Sequence, residues 1–187
     1  MANSTDQVSF EKLAQDLSPP LLRYLQRMVG DPAVADDLLQ ETLIRIARGL
    51  GSFTGRATVK TWAFSIATHV AADYFRRPER GVRIVDISEA DEVPDGALPI
   101  DDRVVVNEMN ACVRQVIDSL PDDYRAALVL HDLEGLNAEQ TAEICDCSLP
   151  TAKIRIHRAR ERLRNALQQQ CDFYRNAGDV LQCDRKP

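Results

Sequence analysis

The chain has 187 residues, 44% of them hydrophobic, 28% charged and 5% aromatic, with a formal net charge of -6. That length suits one or two small domains with modest cores, and the composition reads as a soluble, helix-rich protein. The acidic balance argues against a general nucleic-acid coat but permits one local basic reader.

No apolar run approaches the roughly 18 residues that a membrane span needs. The opening MANSTDQVSFEK lacks the basic start and apolar core of a secretion signal, so a cytoplasmic protein without membrane insertion is expected. Its five cysteines, Cys112, Cys145, Cys147, Cys171 and Cys183, are an odd number with no export signal, which argues against a disulfide framework.

In chain order, Ser18 before Pro19 predicts a helix start, and Gly30 its stop. Asp31-Pro32 repeats the start signal. The helix that follows runs to about Arg48, with Ala35, Leu38, Leu39, Thr42, Leu43 and Ile46 as its apolar stripe. GLGSFTGRAT reads as a loop. A third helix is predicted from about Val59 to Arg77, with Trp62, Ile66, Val70 and Tyr74 on its apolar side and Pro78 ending it. Residues 81–102 hold seven acids against Arg83, the composition of an extended, self-repelling linker.

Helix resumes from Arg103 to about Ser119. Pro121, Asp122 and Asp123 open the next helix, where the acids suit the positive end of the helix dipole, and Gly135 closes it. Asn137 with Gln140 resembles a capping box opening a short helix that ends near Cys145. Ser148 caps a last helix, with Pro150 tolerated in its first turn. No strand alternation stands out.

Residues 148–167 gather six cations against the single acid Glu161. On a helix, Ala152, Ile156, Ala159, Leu163 and Ala166 share one side. Lys153, Arg155, His157, Arg158, Arg160, Arg162 and Arg164 cover the rest. With the short helix before it and a tight turn, this predicts a helix-turn-helix whose second helix enters the DNA major groove. Arginine and lysine serve guanine edges and phosphates there. Ile154, at an outward position, can meet a thymine methyl or pack. A merely solvated basic helix is the plain alternative.

The run LPDDYRAALVLHDLEGLNAEQTAEICDCSLPTAKIRIHRARERL resembles the promoter-reading domain of the extracytoplasmic-function sigma factors, small members of the sigma-70 family. The resemblance rests on Leu120-Pro121, Arg125, Gly135-Leu136, Cys147-Ser148, Thr151, Lys153, Arg155 and Arg158-Ala159-Arg160. It implies minus-thirty-five recognition by Thr151, Lys153, Ile154, Arg155, His157 and Arg158.

DDLLQETLIRIARGL resembles the family's polymerase-docking segment, which implies Asp37, Gln40 and Glu41 as the contact face. FTGRATVKTWAFSIATHVAADYFRR resembles its minus-ten reader and melting region. There the resemblance implies Lys60, Trp62, His69, Asp73, Arg76 and Arg77, although Trp62 also falls on the apolar stripe. The family more often has asparagine where His69 stands, which changes the donor pattern offered to the bases.

The expected architecture is all-α: a polymerase-docking and minus-ten domain over 1–80, an acidic linker over 81–102, a helix-turn-helix domain over 103–167, and a tail over 168–187. By resemblance the partners are bacterial core RNA polymerase, promoter DNA and an anti-sigma protein, and the free chain is expected as a monomer. A stand-alone helix-turn-helix regulator is the alternative; such a protein has no need of the docking face.

The sequence carries no phosphate-cradling glycine loop, HExxH or GxSxG, so neither an enzyme nor a cofactor is expected. In the tail, Gln170-Cys171-Asp172 recurs as Gln182-Cys183-Asp184. Cys171 and Cys183 are weak metal or redox candidates, with plain free thiols the simpler reading.

Overall fold

A computed structural model describes residues 10–76, 111–175 and 181–185, arranged as two compact units that divide after Arg76. In the first unit, α1 (Phe10–Val29), α2 (Pro32–Gly49) and α3 (Val59–Phe75) pack on one another, with a 3-10 turn at Leu50–Ser52.

Asp31 caps α2, its Oδ1 accepting from the backbone N–H of Ala33 at 2.9 Å and Val34 at 3.3 Å. Gly30 takes the left-handed conformation (φ 74°) that ends α1. Thr58 caps α3 by accepting from the Thr61 N–H at 3.0 Å.

The expected start at Ser18-Pro19 is corrected: α1 runs straight through Pro19 and Pro20. A proline inside a helix costs about 3 kcal/mol through its missing donor and its clash with the preceding turn. Against that, Leu13, Leu17, Leu21, Tyr24, Leu25 and Met28 are all buried on one side of α1. Burial of such side chains stabilises by about 2 kcal/mol each, which outweighs the two prolines. Ser18 does not cap; its hydroxyl donates to the Ala14 carbonyl at 2.5 Å. The α1–α3 seam is fixed by the Tyr24 ring, edge-on to Phe64 at 5.4 Å, and by a 2.8 Å hydroxyl contact between Tyr24 and Thr68.

The buried face of α3 is rotated from the expected stripe. Val70 and Tyr74 are buried as expected, but Ala63, Phe64, Ala67 and Ala71 complete the core, while Trp62 and Ile66 are half-buried. Small residues there let α3 approach its neighbours closely.

The second unit contains α4 (Ala111–Ser119), α5 (Asp122–Leu128), a π-helical turn (Val129–Leu133), α6 (Ala138–Ile144) and α7 (Leu149–Gln170). Helix α7 packs on α4, α5 and α6. Arg125, from the LP-x-x-x-R run, is buried; its guanidinium donates to the carbonyls of Asp118 and of Leu120, the latter at 3.0 Å. It satisfies the carbonyls left open where α4 ends, so this motif residue is structural. Gly135 has φ 69°, and Leu136 after it is buried, which accounts for the GL pair. The Asn137–Gln140 capping box forms as expected, at 2.8 and 3.0 Å.

The tail departs from expectation in two ways. Helix α7 continues to Gln170, and Cys171–Arg175 (β1) then pairs antiparallel with Leu181–Arg185 (β2). Strand β2 lies against α4. Both domains are all-α; the hairpin is a short addition that the sequence showed no alternation to announce. The linker over 81–102 lies outside the described residues.

Candidate polymerase and nucleic-acid interface

Asp37, Gln40 and Glu41 share the outer face of α2, opposite buried Ala35, Leu38, Thr42 and Ile46. Asp37 and Gln40 are exposed. Glu41 is half-buried and accepts from Arg45 Nε at 2.8 Å. Ile44, one turn beyond Gln40 and Glu41, is 45% exposed, the one large hydrophobic side chain so placed among the described residues. Sequence reasoning passed over it, though its absence from the apolar stripe was a usable signal.

On α3, Lys60 is exposed, its ammonium 5.7 Å from the Phe64 ring centroid. Trp62 leans on Phe53, ring centroids 4.9 Å apart, and lies close over Gly49, where an added Cβ would meet Trp62 Cζ2 at 2.9 Å. His69 and Asp73 are exposed one turn apart. Asp73 is engaged: Arg45 Nη1 donates to it at 3.2 Å, and Arg76 Nη1 stands 3.7 Å away. Arg45 thus joins Glu41 of α2 to Asp73 of α3. Its pKa is raised above the ordinary value, first by Glu41 and further by Asp73, against an opposing desolvation. Arg77 lies outside the described residues.

In the second unit the turn between α6 and α7 runs through Asp146, whose φ of 48° is left-handed, a conformation aspartate tolerates better than most residues. The Cys147 N–H returns to the Ala142 carbonyl at 3.0 Å. Ser148 caps α7, its Oγ accepting from the Thr151 N–H at 3.3 Å and touching the Thr151 hydroxyl at 2.8 Å. Ala152, Ile156, Ala159 and Leu163 are buried as expected, joined by Leu167, while Ala166 is half-buried.

Outward, Lys153 and Arg164 are exposed, and Thr151, Ile154, His157 and Arg158 are half-buried. Three cations expected on the outer surface have protein partners. Arg155 Nη2 donates to Asp123 at 2.8 Å. Arg160 makes a two-point pair with Asp132. The Arg162 guanidinium lies 4.7 Å from the centroid of the buried Tyr124 ring. The basic helix is partly held by its own domain.

Cys145 and Cys147 are unoxidised and half-buried. Burial pushes the Cys145 thiol up to about 12 and raises that of Cys147 as well. In the hairpin, Cys171 faces Arg185 and Cys183 faces Phe173, so the two cysteines are offset by one register step of two residues rather than directly opposite. No group of three or more His, Cys, Asp or Glu suited to a metal occurs among the described residues, and no helix there is long and apolar enough to cross a membrane.

Comparison with known proteins agrees with this layout. Residues 13–81 match the family model for Sigma-70 region 2, and residues 110–163 match that for Sigma-70, region 4. An RNA polymerase sigma-H factor of Pseudomonas aeruginosa is 33% identical over 170 residues, covering 87% of this chain and 88% of that protein. The chain belongs to the extracytoplasmic-function sigma factors of the sigma-70 family. An ECF RNA polymerase sigma-E factor of Escherichia coli K12 is likewise 33% identical to this sigma factor, covering 87% of the chain and 88% of the relative.

Among solved structures, sigma factor RpoE, in complex with the anti-sigma factor NepR from Bartonella quintana, matches with a TM-score of 0.64 and 26% identity, covering 85% of this chain and 96% of its own. CnrH, in complex with the cytosolic domain of CnrY, shares the fold at a TM-score of 0.63 and 21% identity, covering 89% and 92%.

Proposed function

We propose that this sigma factor docks on bacterial core RNA polymerase through the α2 face of Asp37, Gln40 and Glu41. It then opens the minus-ten element with the surface carrying Lys60, Trp62, His69, Asp73, Arg76 and Arg77. Helix α7 reads the minus-thirty-five element as duplex, led by Thr151, Lys153, Ile154, His157 and Arg158. The chain supplies recognition and no chemistry of its own; phosphodiester formation belongs to the polymerase. It works in the cytoplasm, a monomer when free, until an anti-sigma protein, such as the NepR bound to RpoE, buries these surfaces.

The observation that carries this reading is the pairing of two separately built units. One offers an exposed polar face on α2, the other a capped helix-turn-helix with Lys153 exposed and Arg158 half-buried one turn on. A stand-alone regulator needs only the second.

Titration of the full chain against core polymerase, and of the holoenzyme against duplex promoter fragments, tests the division of labour. Asp37→Lys lowers core affinity and leaves duplex preference intact, whereas Lys153→Ala weakens minus-thirty-five binding and leaves core affinity intact. Equal loss of both activities in each variant would contradict it.

A further inference from the structure

The Arg155 side chain is only 15% exposed, although it lies on the helix that carries the outward cations. Its Nη2 donates to Asp123 in the first turn of α5 at 2.8 Å. The same guanidinium stands beside the Cys147 thiol in the turn that enters α7. One side chain on α7 therefore binds α5 and lies near the turn.

Two features of this arrangement oppose a phosphate contact. Reaching DNA would break a short charged hydrogen bond and draw the guanidinium out of a site where its side chain is mostly covered. Asp123 is itself 57% exposed, so a phosphate approaching Arg155 would meet a negative charge at its side. Lys153, two residues earlier, is exposed, and Arg158, one turn later, is half-buried.

We propose that Arg155 is a positioning residue. Through Asp123 and the Cys147 turn it fixes the angle at which α7 leaves the turn, so that Lys153, Ile154, His157 and Arg158 meet the duplex, and it does not contact DNA itself. This rests on the assignment of α7 to promoter reading.

The test is the salt dependence of holoenzyme binding to a duplex minus-thirty-five fragment. Loss of one phosphate contact reduces the slope of log affinity against log salt by about 0.9. Lys153→Gln should reduce the slope by that amount. Arg155→Gln should lower affinity about tenfold with the slope unchanged, and lower the melting temperature of the free chain. Asp123→Asn should act in the same direction, and the double variant should be no worse than the poorer single one.

If Arg155→Gln does not fold, Asp123→Asn alone decides: weaker binding with unchanged slope supports the proposal, and tighter binding overturns it. A slope reduced in Arg155→Gln as much as in Lys153→Gln also overturns it, since Arg155 then touches phosphate. If Lys153→Gln leaves the slope unchanged, α7 itself does not face DNA, and the positioning role falls with that assignment.

Discussion

Arg160 and Asp132 join α7 to the π-helical turn by a two-point guanidinium–carboxylate pair. Nε donates to Oδ2 at 2.9 Å and Nη2 to Oδ1, with the side chains only 19% and 10% exposed. The partners lie 28 residues apart in sequence, so the pair ties helix to turn. Removing one member of such a pair takes the two-point partner from a charge in a site with little water. Asp132→Asn should therefore destabilise the second unit by about 3 kcal/mol, and replacement of both residues by apolar ones of similar size should restore much of that. The one tryptophan, Trp62, lies in the first unit and will not report on this, so hydrogen exchange of the α7 amides in urea is the measurement.

Gly49 is held small by Trp62. Alanine at the end of a helix would ordinarily gain up to about 1 kcal/mol over glycine. Here its Cβ would come within 2.9 Å of a rigid indole, and overpacking of this kind costs about 1–3 kcal/mol. Gly49→Ala is expected to lower the stability of the first unit by about 1 kcal/mol net. It should also shift the Trp62 emission, which is read in the same denaturant titration.

Ile44 supports no core, so its replacement separates folding from docking. Substitution of an exposed residue away from caps and pairs usually changes stability by less than about 0.5 kcal/mol. An apolar anchor inside a polar rim commonly carries more than 1 kcal/mol of binding. Ile44→Ser should leave the melting temperature unchanged and lower core polymerase affinity about tenfold. Unchanged affinity would restrict the docking face to Asp37, Gln40 and Glu41.

Cys145 makes the second unit sensitive to alkali. Its thiol is held up to about 12, chiefly by burial, against an ordinary value of 9.0. A raised folded value means that the unfolded chain releases the proton first. The contribution is fully present below pH 9 and is lost as pH rises from there towards about 12, by about 1.4 kcal/mol per unit. Urea midpoints for the second unit should fall over that window in the native chain and fall less in Cys145→Ala. The same burial predicts slow alkylation of Cys145 at pH 8 until the unit unfolds.

What the sequence revealed was local chemistry. Asp31-Pro32, Gly30, Asn137 with Gln140, and Ser148 are start and stop signals whose partners lie within four residues, and the structure uses each as expected. The course of α1 through Pro19 and Pro20 was hidden because six buried side chains outweigh a strong local breaker. The outward polar faces of α2 and α7, opposite their buried apolar stripes, were legible as well. Their internal state was not: the pairs Arg45–Asp73, Arg155–Asp123 and Arg160–Asp132 span 28 to 32 residues, and nothing in a helical wheel says which cation finds a partner. The hairpin was hidden because its strands are five residues each and their alternation is weak.

This sigma factor directs where transcription starts. Purified full-length chain mixed with bacterial core RNA polymerase and a promoter library, with transcript starts mapped with and without the chain, tests it most directly. Discrete new start sites should appear that depend on the chain, share both promoter elements, and disappear with Asp37→Lys or Lys153→Ala. Tight binding to duplex DNA by the chain alone, with no binding to core and no new transcripts, would contradict it.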